Sequence, residues 1–206
     1  MKETNNVKEK IIHTATELIQ EYNGDVAKIT LRKISERANV GLGLINYHFG
    51  SKEQLITICV QRIINNVVMC FSLDKKDYNA NDGLNERERL ADWAKQVFDF
   101  LFDNKAISSI SILGDMQNYQ LNSNSVYTQK GFSLAVKNDM DDRTRKLLIF
   151  VLTSTMQVAF LSRDVSGEIL GYNLENKEER DAYIDSLVGL LFTGVFGMDQ
   201  SGDMSR

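Results

Sequence analysis

Proline is missing from all 206 residues, so no position carries the residue that most strongly forbids a helix interior. Apolar residues recur every three or four positions over long stretches, and no segment alternates as a half-buried strand does. The expectation is an all-α protein of about nine helices. Cysteine is nearly missing. Cys59 and Cys70 read as lying on one helix, where eleven residues at ~1.5 Å rise set them roughly 16 Å apart, beyond disulfide reach. They read as small core or interface residues of a reducing compartment. With only His13 and His48, a zinc site has almost no ligands to draw on. There is no G-x-S-x-G and no phosphate loop, so an enzyme lacks a nucleophile with its base. A non-enzyme without cofactor or metal is expected.

Long hydrophobic runs are lacking too. The stretches Leu147 to Leu161 and Leu187 to Phe196 are broken by Ser, Thr, Gln and Gly and read as too short to span a bilayer. The opening MKETNNVKEK has no apolar signal core. The expected location is cytoplasmic, with no membrane partner. A content of 43% hydrophobic and 25% charged residues suits one large domain or two modest ones. The net charge of −4 is unevenly spread: residues 1–56 hold eight Lys and Arg against seven Asp and Glu, and the rest hold sixteen against twenty-one. From Lys28 to Lys52 five cations face one acid, a basic island that suits an anion-binding surface.

Within that island the helical pattern is interrupted. Val7, Ile11, Ile12, Ala15, Leu18, Ile19 and Tyr22 form one stripe of a first helix, ended by Asn23-Gly24. Thr30 is placed to N-cap a second helix through Ala38, with Leu31, Ile34 and Ala38 inward. Asn39 suits a left-handed C-terminal residue, Val40 can plug the angle between helices, and Gly41 and Gly43 let the backbone turn and approach something closely. In a short third helix Ile45 and Phe49 anchor to the core, leaving Leu42, Gly43, Asn46 and Tyr47 facing away. Ser51-Lys52-Glu53-Gln54 matches a capping box opening a long fourth helix. This is a helix-turn-helix that presents the third helix to a DNA major groove.

The stretch ITLRKISERANVGLGLINYHFGSKEQLI, Ile29 to Ile56, resembles the DNA-binding domain of the tetracycline-repressor (TetR) family. The matching residues are Thr30, Ile34, Ala38, Val40, Ile45, His48, Phe49, Ser51, Lys52, Glu53 and Leu55. Asn39 stands where the family commonly has Gly, Gly41 where it often has a hydroxyl residue, and Leu44 and Asn46 replace a frequent Thr and Tyr. These departures remove hydroxyls that usually meet phosphate and suggest an individual operator.

Asn46 is the favoured base reader, because a carboxamide pairs bidentately with adenine, and Arg32 can do the same with guanine. The alternatives are an exposed amide and a surface salt bridge. Thr30, Tyr47, His48 and Lys52 suit phosphate, together with backbone N–H groups at the second and fourth helix starts. Leu44 either touches a thymine methyl or packs.

The resemblance implies a helix-turn-helix domain at 1–52, joined through the long fourth helix to a ligand-binding and dimerisation domain at 53–206. A polar loop, SLDKKDYNANDGLN, follows Phe71, and further helices are expected around Leu90 to Phe102 and at 105–119, 123–139, 143–163 and 178–197. Candidates for an effector pocket are Trp93, Phe98, Phe102, Met116, Tyr119, Tyr127 and Phe150, which fit a largely apolar small molecule. Taken singly, each reads more readily as plain core. The last two helices are apolar over more than half their girth, so a homodimer through Leu148, Leu152, Met156, Leu187, Leu191 and Val195 is expected. The implied function is a repressor on a near-palindromic double-stranded operator, released by its effector. An activator or a helical protein-interaction module is the alternative.

Overall fold

The computed structural model describes residues 2–76, 84–136 and 140–197, with side chains for 6–67, 84–136 and 140–194. Its helices are α1 (Lys2–Glu21), α2 (Leu31–Ala38), α3 (Leu42–Phe49), α4 (Lys52–Lys76), α5 (Glu86–Asp103), α6 (Lys105–Gln117), α7 (Asn124–Phe132), α8 (Asp142–Leu161), α9 (Ser166–Leu170) and α10 (Lys177–Gly197). Among the described residues there is no strand, as the missing alternation predicts. The chain forms two compact units, one of Met1–Val67 with Asn104–Asn124, the other of Val68–Asp103 with Ser125–Arg206. α6 therefore groups with the helix-turn-helix.

In the first unit α1, α2 and α3 pack on one another. Ile11, Ile12, Ala15, Leu18 and Ile19 from α1 meet a core that includes Ile34, Ala38, Ile45, Phe49, Leu55, Ile56 and Cys59, all buried. Each large apolar side chain so buried contributes ~1.5–3 kcal/mol. The Cys59 thiol is pushed up to about 11 by burial and leans on the Ile12 carbonyl at 3.6 Å, so it is an inert core group. α1 ends through Asn23 (φ 49) and Gly24 (φ 79). A Cβ on Gly24 would stand 3.2 Å from Ile107 Cγ2 of α6, so glycine both turns the chain and admits that helix.

The caps fall where the sequence places them. Thr30 Oγ1 accepts the Lys33 N–H at 3.2 Å, and Asn39 closes α2 in the left-handed conformation (φ 48, ψ 53). Ser35, which sequence reasoning passed over, locks the turn: its hydroxyl donates to the Val40 carbonyl at 2.6 Å. Ser51 Oγ accepts the Gln54 N–H at 3.2 Å, but the Ser51 N–H goes to the Phe49 carbonyl at 2.8 Å. Only half of the expected capping box forms. Gly41 and Gly43 depart from expectation: neither has a positive φ, and a Cβ on either would meet nothing within 4 Å. The turn does not require them internally. They leave open space on an exposed face.

The second unit is built on α5 packed against α10, with α8 touching both. α5 opens with a complete capping box, Asn85 Oδ1 accepting from the Glu88 N–H and Glu88 Oε2 from the Asn85 N–H, each at 3.0 Å. Asp141 caps α8 through Arg143 and Thr144 N–H at 2.9 and 3.1 Å. Several expected boundaries move. α4 continues past Phe71 to Lys76. α7 stops at Phe132, where the Ser133 N–H and hydroxyl both turn back to Gln129 O at 2.9 Å. The short α9, hidden in a polar stretch, ends at Gly171 with φ 74. Contrary to the reading of its apolar run, α8 is long and apolar enough by length and composition to cross a membrane. Its Leu148, Ile149, Leu152, Met156 and Phe160 are buried inside the second unit, as a core helix requires.

Candidate nucleic-acid interface

α3 divides its residues sharply. Ile45 and Phe49 are buried at 1% and 4% exposure, whereas Leu42, Gly43, Leu44, Asn46 and Tyr47 are all exposed. Tyr47 stands clear of the core at 79% exposure. His48 is half-buried, its ring edge-on to Tyr47 at 5.1 Å between centroids and tilted to Phe49 at 6.1 Å. It buttresses the aromatic end of α3. Thr30 is exposed at the α2 start, one turn from Lys33, and Lys52 is half-buried at the α4 start. The first unit thus brings all nine sequence-predicted residues onto α3 and the adjoining helix starts.

Electrostatically the basic island is largely neutralised from within. Lys28 pairs with Asp25 at 2.8 Å, Arg32 with Glu36 at 2.8 Å, and Arg37 with both Glu21 and Glu17. Lys33 Nζ donates to the Lys28 carbonyl at 2.9 Å and to the Tyr22 hydroxyl at 3.1 Å. The Arg37 hydrogen bond holds the Glu21 carboxyl below its ordinary range, and the Lys28 hydrogen bond does the same for Asp25. Among the described residues no ion pair holds Lys52. Net charge over Lys28 to Lys52 therefore overstates the cations ready to meet phosphate, because Asp25, Glu21 and Glu17 lie outside that window in sequence but inside it in space.

The candidate effector residues divide between the two units. Trp93, Phe98 and Phe102 of α5 are buried in the second unit, Phe98 edge-on to Phe102 at 5.1 Å and Phe102 edge-on to Phe160 at 5.4 Å. Met116 and Tyr119 belong to the first unit and are exposed. Tyr127 is half-buried, and Phe150 is 48% exposed. An apolar groove of about 300 Å³ on the second unit is lined by Ser154, Thr155, Val158, Ala159, Ser162, Ile169, Leu170 and Tyr183, none of them among those candidates. Tyr183, buried at 6% exposure, has a hydroxyl without a hydrogen-bond partner among the described residues, and burial pushes it up to about 12.

The expected dimer residues differ in their burial. Leu148, Leu152 and Met156 are buried within the second unit itself, Leu187 and Leu191 are half-buried, and the Val195 side chain lies outside the described residues. The outward stripe of α8 consists instead of Leu147, Phe150 and Val158, at 62%, 48% and 57% exposure, and α10 adds Leu190 at 73%. A helix apolar on both sides gives sequence periodicity no means of saying which stripe faces its own core.

An all-helical protein with an exposed α3 behind a left-handed turn has the architecture of a helix-turn-helix DNA-binding domain. Residues 11–57 match the family model described as bacterial regulatory proteins, tetR family. A TetR transcriptional regulator from Rhodococcus sp. RHA1 superposes at a TM-score of 0.59 with 13% identity, over 91% of this chain and 96% of that one. The transcriptional regulator FadR from Bacillus subtilis, solved in complex with stearoyl-CoA, does so at 0.50 with 20% identity, over 90% and 98%. A regulator described as TetR-family from Mesorhizobium loti gives 0.53 with 14% identity, over 91% and 97%. At these identities the structural likeness is one of fold. No curated protein matches the sequence significantly. Residues 11–57 thus carry a TetR-type N-terminal domain, and the chain shares the fold of solved TetR-family regulators.

Proposed function

We propose that the protein is a cytoplasmic homodimeric repressor that occupies a near-palindromic operator and leaves it when a largely apolar small molecule binds. The observation that carries the DNA half is the exposed face of α3, where an amide, a phenol and two bare glycine positions stand clear of the core. In this reading residues 1–52 read the operator, with Asn46 and Arg32 on bases and Thr30, Tyr47, His48 and Lys52 on phosphates. Leu42, Gly43 and Leu44 make the close approach. Residues 53–206 dimerise and bind the effector.

The exposed apolar residues Leu147, Phe150 and Val158 on α8 and Leu190 on α10 support dimerisation, because large apolar side chains left in water on two neighbouring helices favour a self-complementary contact. The aromatic cluster around Phe98, Phe102, Phe160 and Tyr183, with its unpartnered phenol, supports an apolar effector able to accept one hydrogen bond. That FadR was solved with stearoyl-CoA fits an effector with a long apolar part. Repression is relieved to the extent that the effector prefers the conformation with misplaced α3 helices.

Duplex binding measured by fluorescence anisotropy should weaken at least about tenfold between ~50 and ~200 mM salt, the drop expected when two phosphates are neutralised. Binding unaffected by salt would instead favour the protein-interaction alternative.

A further inference from the structure

The pair between Arg32 and Glu36 runs against the helix it sits on. Arg32 lies in the first turn of α2 and Glu36 near its end, so the cation is at the positive pole of the helix dipole and the acid at the negative pole. Pairs in this order stabilise a helix less than the reverse order does. Both side chains are largely exposed, at 86% and 64%, and an exposed pair of this kind adds little to folding. Stability does not account for it.

Its geometry has another use. Glu36 Oε1 takes the Nε proton of Arg32 at 2.8 Å, which fixes the plane of the guanidinium. With the side chain so exposed, the terminal Nη groups are left toward solvent. Those are the two donors that reach guanine O6 and N7 in an end-on contact. A free arginine must give up much of its rotamer entropy to make that contact, and a side chain already held at Nε gives up less.

We infer that Glu36 is a positioning residue for base recognition, holding Arg32 by Nε so that its Nη pair meets a guanine edge. The inference rests on the DNA-reading role of α2 and α3 proposed above. Glu36 also keeps a negative charge beside Arg32, which disfavours duplexes that offer Arg32 only a backbone phosphate contact. Both effects act on discrimination between sequences more than on total affinity.

The test uses the full-length protein with a duplex site enriched from random DNA by the wild type, and with the same site changed at each G·C pair in turn. Glu36→Ala should lower the ratio of affinities between the enriched site and its weakest single-pair variant by about three- to tenfold, the range set by one immobilised side chain. Glu36→Gln, which keeps an oxygen for the Nε proton, should retain most of that ratio. In an Arg32→Ala background, Glu36→Ala should change the ratio no further. If Glu36→Ala shifts all duplexes equally, or acts as strongly without Arg32, Glu36 is only a charge near phosphate and the inference falls. If the wild type enriches no site, the DNA-reading proposal falls first, and the inference with it.

Discussion

Leu190→Glu should convert the protein to a monomer at micromolar concentration and lower operator affinity by about two to four orders of magnitude, the gain that linking two half-site readers confers. Leu190 is 73% exposed on α10 and, like Leu147, Phe150 and Val158 on α8, has its apolar surface turned away from its own core. In a monomer a glutamate there would cost little, since it would face water. In a dimer packed through this stripe the carboxylate must be desolvated without a partner, which costs several kcal/mol. Light scattering reads the mass and circular dichroism the helix content. A dimer of unchanged affinity would place the interface on another surface, whereas a monomer with native helix content and weak operator binding is the expected result.

Asp99→Ala should destabilise the second unit by about 3–5 kcal/mol, the cost of leaving a buried charge without its partner. Arg180, 8% exposed, reaches Asp99 Oδ1 through Nη2 at 3.0 Å and through Nε at 3.3 Å. It also donates from Nη1 to the carbonyls of Leu174 and Glu175 and stacks over the Phe102 ring at 4.6 Å. Lys177 adds a second cation to Asp99 at 2.6 Å. The cluster ties α5 to the start of α10, and removing its one shared carboxylate leaves Arg180 its two carbonyl acceptors but takes away its counter-charge.

The pH dependence of that cluster follows from its charges. Burial raises the Asp99 carboxyl, but the hydrogen bonds and charges of Lys177 and Arg180 outweigh it and hold the group below its ordinary value. A carboxyl depressed in the folded state contributes fully above its unfolded value of ~3.9 and loses that contribution as pH falls through the folded value. Asp99→Asn should therefore lower the melting temperature at pH 7 and lessen its fall under acid. Urea unfolding at pH 7, together with thermal melts from pH 7 to pH 3, measures both; a variant as stable as wild type at pH 7 would show that the cluster contributes nothing.

The first unit was far more legible than the second, and the reason is local chemistry. Thr30, Asn39 and Ser51 each specify a backbone event within four residues of themselves, and all three events occur. Ile45 and Phe49 on a short helix leave one arrangement in which they can be buried together. Partnership across sequence was not legible: Arg37 with Glu21, Arg180 with Asp99, and Ser35 with the turn carbonyl depend on where helices meet. Which stripe of α8 faces its own core was not legible, because Leu147 and Leu148, or Phe150 and Leu152, have similar hydrophobicity and differ only in which side faces α5 and α10. The aromatic effector candidates divide between the units, with Met116 and Tyr119 in the first, a grouping set by contacts distant in sequence and so not legible either.

Selection of binding sites from random duplex DNA, run in parallel for the wild type and Asn46→Ala, tests whether α3 reads DNA. Wild-type protein should enrich an inverted repeat with half-sites one helical turn apart or a multiple of it, and the variant should lose preference at one A·T pair per half-site, worth ~1–3 kcal/mol. Enrichment of the same sharp motif by both proteins would remove Asn46 from base reading. No enrichment by wild-type protein shown to be free of bound ligand would contradict the assignment of α3 as a DNA reader.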